Sequence, residues 1–216
     1  MAAILNPPEQ VTQKVILDNI SWETYQRLLA ERGERSQPRY AYDRGRLEIM
    51  VTSYEHENLK HDLATLVELL AEGLEMDLVG AGSTTFSRED LDQGFEPDAC
   101  FYLQHAARIR GQKRIDLATD PPPELVIEVD ITSPSLNKFP IFAGLGVPEV
   151  WRYHKQALTI FKLEGDAYHP QAASEVFTGV TSSELTRLIA ASSQMKRPEW
   201  LRSVREWART LKVEEQ

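Results

Sequence analysis

Residues Leu125 to Ile131 are aliphatic but for two carboxylates, and the Asp120-Pro121-Pro122-Pro123 segment just ahead of them suits neither helix nor central strand. The sequence therefore predicts a sharply delimited central strand, covered on both faces. The two interruptions are Glu128 and Asp130. Burying a carboxylate is costly unless something compensates its desolvation, and a divalent cation is the usual partner. A second apolar run, Ala99 to Leu103, is headed by Pro97-Asp98, and Lys138 follows the first run closely. Two carboxylates and a lysine converging from neighbouring strands suit metal-dependent phosphodiester hydrolysis, in which metal and ammonium offset the charge of a phosphate. Asp98 and Glu128 are the candidate ligands of Mg²⁺ or Mn²⁺, which prefer hard oxygen donors. Strand alternation puts Asp130 on the face of Glu128, as a candidate third carboxylate. Lys138 would orient water or stabilise charge on phosphate.

The surrounding pattern mixes helices and strands. Residues 1–17 read as an N-terminal arm, with Pro7, Pro8 and little periodicity, and 18–216 as a single domain with a C-terminal helical extension. Ser21 caps a short helix to about Arg32. Arg39 to Val51 alternates around Asp43-Arg44-Gly45 and predicts a hairpin. Ser53 caps a longer helix with Leu59, Leu63, Leu66, Val67 and Leu70 on one face and Gly73 as its stop. His56 falls one turn ahead of Leu59 and points inward, with Glu55 on the edge of that face. Short strands are expected within Leu78 to Phe86 and an acidic loop over Asp90 to Glu96. A weak helix follows Lys138, and Val150 to Leu163 forms a second hairpin at the sheet edge. Two amphipathic helices close the chain, the last with Trp200, Val204, Trp207 and Leu211 on one stripe.

A chain of 216 residues can bury one substantial core, and no apolar run is long enough to span a membrane. With no signal peptide in the first residues, the expected location is the cytoplasm. The lone cysteine, Cys100, lies in an apolar run and reads as a small core residue. The formal net charge of -9 argues against a duplex partner, since phosphate affinity comes from Lys and Arg. Against it stand the local cations Arg108, Arg110, Lys113 and Arg114 and the acidity that a metal site itself requires.

The order hairpin, helix, Pro-Asp strand, Glu-Val strand, Ser133-Pro134-Ser135, Lys138 and Gly146-Val147-Pro148-Glu149-Val150-Trp151 resembles the Uma-two family of restriction-endonuclease-like proteins, within the PD-(D/E)XK nuclease superfamily. The Gly45 to Met50 run and the Glu55-His56 pair are similar to further family motifs. The resemblance implies an α/β restriction-endonuclease-like core, a central mixed β-sheet flanked by helices, and a Mg²⁺-dependent nuclease acting on DNA in preference to RNA. Asp98 then matches the Asp of the Pro-Asp motif and Glu128 the second acid. The superfamily's simplest pattern has its lysine two residues after that acid, where Asp130 stands here. Lys138 becomes the displaced candidate, reaching the site from the following helix, while Glu48 and His56 match the family pattern without a settled role. Asp98→Ala or Glu128→Ala should then abolish cleavage and leave the fold intact. A homodimer is expected, because one site cuts one strand; its interface is either the C-terminal stripe or another surface, the stripe then covering the chain's own core. Two rivals remain: a non-catalytic member of the fold that binds nucleic acid or protein, and a structural protein whose carboxylates pair with arginines.

Overall fold

The computed structural model describes residues 11–131 and 136–213. Its strands sort into two sheets, numbered in chain order. The first has the spatial order β1 (Gln13–Leu17), β3 (Arg46–Val51), β2 (Arg39–Asp43), β6 (Gln93–Phe95) and β5 (Phe86–Arg88), antiparallel throughout. The second runs β11 (Ala167–Gln171), β10 (Ala157–Glu164), β9 (Glu149–His154), β8 (Leu125–Asp130), β7 (Ala99–Tyr102) and β4 (Val79–Gly80), and it is mixed because β8 and β9 are parallel. The expected mixed sheet flanked by helices is present, and β8 is central and buried along its whole length.

Alternation along the strands decides which residues meet. Leu125, Ile127 and Val129 of β8 face a helical layer made by α2 (Tyr54–Leu74), α5 (Ser182–Ser192) and α6 (Arg197–Val213). Val126, on the opposite face, packs with Ala41, Phe86 and Phe95 of the first sheet and with Phe142 of the short α4 (Phe139–Gly144). Glu128 and Asp130 share the face of Val126, so they look toward the first sheet. There Tyr40, Tyr42 and Leu47 turn outward to pack with Tyr25 of α1 (Trp22–Arg32). Their neighbours of opposite parity, Arg39, Ala41 and Glu48, turn inward. Carboxylates on one sheet thus confront charged groups on the other across a single seam.

Local signals account for most boundaries. Ser21 and Ser53 accept the N–H groups of Thr24 and His56, the capping bonds expected of these residues. Arg44 and Gly45 both have positive φ in the two-residue turn between β2 and β3. Ser133, Pro134 and Ser135 lie outside the described residues.

Several expectations need correction. Residues 13–17 are not part of an arm: β1 pairs with β3 in register from Gln13 opposite Val51 to Leu17 opposite Leu47. Gly73 does not stop α2, which continues to Leu74 and ends on Glu75 in the left-handed conformation. A Cβ at Gly73 would lie 2.6 Å from that of Ala208, so the glycine permits close contact with α6. The acidic segment 90–96 is not a loop throughout, since it contains β6. The second hairpin, β9 with β10, is not at the edge, because β11 pairs outside it. The C-terminal stripe is used within the chain: Trp200 and Val204 are fully buried and Trp207 partly so, packed against the α2 layer. That stripe is therefore not free to form a dimer interface.

Candidate active site

The chain leaves the first sheet at Phe95 and enters the second at Ala99, so Glu96-Pro97-Asp98 is a corner between the sheets. Each carboxylate is anchored there. Glu96 accepts the Tyr40 N–H at 2.8 Å and pairs with Arg32 at 2.5 Å. Asp98 accepts the Val129 N–H at 2.7 Å, which locks the corner against β8. It also pairs with Arg39 of β2 and lies 3.3 Å from His56 Nε2. His56 points inward from the first turn of α2, as its helical phase predicted, and is fully buried. Glu57, rather than Glu55, is the neighbouring acid that turns to the site, lying 3.8 Å from His56 Nδ1 and paired with Arg39.

Burial alone would lower the basicity of His56, yet Asp98 and Glu57 outweigh it and push the imidazole up to about 9. The ring is an imidazolium at neutral pH, able to donate and unable to accept. Burial also disfavours an ionised Asp98, but His56, Lys138 and Arg39 hold its carboxyl well below the usual range.

Lys138 caps the start of α4 and sends its ammonium back to β8, 2.7 Å from Glu128 Oε2 and 3.6 Å from Glu48 Oε1. Glu48 is fixed in turn by the Leu136 N–H at 2.7 Å. Burial opposes the charge on Lys138, but Glu128, Glu48 and Asp98 together raise its pKa above the ordinary lysine value. Glu128 is raised, chiefly by burial. Its Oε1 is buried without a hydrogen-bond partner among the described residues, which is costly for a carboxylate.

Glu128, Asp130 and Lys138 line one cleft of about 320 Å³, together with Lys14 and Arg152. Asp130 does share the face of Glu128, but its oxygens are engaged by Lys14 at 3.1 Å and Arg152 at 2.5 Å. Sequence reasoning singled out neither cation, nor Arg39. β1 reads Gln-Lys-Val-Ile-Leu without polar–apolar alternation, so its short β-branched and aliphatic run, Val15 to Leu17, was the available signal. Half of the basic stretch is spent locally: Arg108 pairs with Asp120 and Arg110 with Asp77.

Hard carboxylate oxygens are the donor type that Mg²⁺ and Mn²⁺ require, and the orphaned Glu128 oxygen is available to one. Among the described residues no cluster of three or more His, Cys, Asp or Glu side chains is arranged to hold an ion alone.

Fold and seam define the chain as restriction-endonuclease-like. A family model described as "Uma2: Putative restriction endonuclease" matches residues 22–192, and the chain belongs to that family. Among solved structures it is similar to a "putative nuclease belonging to DUF820" from Anabaena variabilis, with a TM-score of 0.50 and 11% identity over 79% of this chain and 99% of that one. At that identity the likeness speaks for the fold alone. No curated protein matches the chain. Among the described residues no helix is long and apolar enough to cross a membrane.

Proposed function

We propose that the chain is a Mg²⁺- or Mn²⁺-dependent endonuclease that hydrolyses phosphodiester bonds of DNA. The observation that carries the reading is the buried Glu128 oxygen, without a partner among the described residues, beside a lysine at the floor of a cleft, in a member of a nuclease family. Glu128 would offer the ion its open oxygen, and Asp98 would join it by giving up its Arg39 contact. When bound, it supplies a water acidic enough to attack at neutral pH and counter-charge for the phosphate. Lys138, kept charged by three carboxylates, acts as an electrostatic donor to a phosphate oxygen and not as a base. His56 does not touch the substrate in this scheme; its charge, 3.3 Å from Asp98, helps to keep that carboxylate ionised and in place. Severing a duplex further calls for two copies on opposite strands, hence a homodimer, which light scattering would weigh directly.

The test is nicking of plasmid DNA by purified protein with Mn²⁺ and with chelator, beside Glu128→Gln. Cleavage that needs the ion and vanishes in the variant is expected. Intact DNA and RNA under all conditions would refute the enzymatic reading. A second reading has its own observation: Arg39 already pairs with Asp98, as a non-catalytic member of the fold, a structural or interaction protein whose carboxylates sit in ion pairs, would have it. Calorimetry with Mn²⁺ separates the two, since that member would bind no ion through Asp98 or Glu128.

A further inference from the structure

The group that stands in the superfamily's simplest lysine position is an aspartate, and its surroundings suggest why. Asp130 carries one negative charge but faces two cations delivered by different sheets. Lys14 comes from β1 and touches Oδ1, while Arg152 comes from β9 and touches Oδ2. Arg152 also lies over the Phe139 ring, its guanidinium carbon 5.9 Å from the centroid. All four residues line the cleft that Glu128 and Lys138 floor. A carboxylate held between a lysine and a planar guanidinium occupies the geometry that a phosphate group would take.

We infer that Lys14 and Arg152 are a backbone-phosphate clamp for the nucleic-acid strand, and that Asp130 is their counter-ion in the free protein and not a metal ligand. The inference rests on the nucleic-acid reading of the same cleft. On binding, a phosphate replaces or shares the Asp130 contacts, so the protein pays no cost for two unpaired cations beforehand. In a chain of net charge -9, the lining of this cleft holds three cations, Lys14, Lys138 and Arg152, against two carboxylates, Glu128 and Asp130. The competing explanation is mechanical, namely that Lys14 and Asp130 only staple the two sheets together.

The experiment is fluorescence anisotropy of a short labelled DNA duplex, in chelator, across a salt series, with thermal unfolding of each variant alongside. Lys14→Ala and Arg152→Gln should each weaken binding several-fold and lower the slope of log affinity against log salt by about 1. Lys14→Arg should restore the slope. Asp130→Asn, which removes the competing anion, should tighten binding. A staple predicts lower thermal stability with unchanged slope and no gain from Asp130→Asn, and that result would overturn the clamp. So would wild-type protein that binds no duplex, single strand or RNA. The staple result leaves the nuclease reading to the plasmid assay, whereas protein that binds no nucleic acid counts against both, and Asp130→Asn that lost Mn²⁺ binding would return Asp130 to the metal.

Discussion

Replacing Asp98 by alanine should damage the fold as well as any activity. Asp98 is 1% exposed, accepts from Val129 N–H and Arg39, and lies 3.3 Å from Nε2 of the His56 ring. Removing it leaves two cations buried without that anion and a main-chain donor unsatisfied. Breaking a buried pair from one side costs about 3–5 kcal/mol. Arg39 retains Glu57, which is partly exposed, so the lower half of that range applies. For a chain of this size each kcal/mol moves the melting temperature by roughly 2–4 °C, giving a fall of about 10 °C. This corrects the expectation that Asp98→Ala would leave the protein intact, and it means that loss of cleavage in that variant is not proof of catalysis. Circular dichroism melts of wild type, Asp98→Ala, Arg39→Met and the double variant would measure it, with a coupling energy above about 1 kcal/mol expected. A change in melting temperature within about 2 °C, or additive single effects, would refute the reasoning.

Glu128→Gln keeps an acceptor for Lys138 and leaves it Glu48 and Asp98 as counter-charges, so its melting temperature should fall less than that of Asp98→Ala, making it the cleaner probe of chemistry. His56 has a folded pKa of about 9 against an ordinary 6.5, so its contribution to stability is complete below pH 6.5 and is lost as pH rises through 9; urea midpoints should fall across that window, and the fall should flatten in His56→Gln. Gly73→Ala should destabilise despite the better helix propensity of alanine, since its Cβ would meet that of Ala208 at 2.6 Å; a gain in melting temperature would show that α2 and α6 can part freely.

Much of the second sheet was legible because its signals are local. The aliphatic run at Leu125, the triple proline before it and the Pro97 corner each constrain the backbone by their own chemistry. The pairing of Lys138 with Glu128 was accessible as a proposed convergence, helped by family pattern. The first sheet was read as a hairpin because β5 and β6 have three residues each, too few for a period to register, and β6 carries Gly94. Gly94 is there for a neighbour no periodicity reveals: a Cβ would lie 2.4 Å from the Tyr25 hydroxyl. Lys14, Arg39 and Arg152 were missed for a related reason. A cation in a strand looks like a solvent-facing residue until the partner sheet is known.

The seam between the sheets also sets an order of events as the chain is made. Glu48 waits for a hydrogen-bond donor 88 residues further on, and Lys14 for an acid 116 residues away. Until the ribosome has passed residue 138, the nascent first sheet carries Arg39 and Glu48 on the face that will later be buried, with their final partners not all in existence. Such long-range closures are slow, and the half-made sheet must stay hydrated along that face meanwhile. Charged residues there keep it from sticking to other strands, so the same side chains that furnish the cleft protect the protein before the cleft exists.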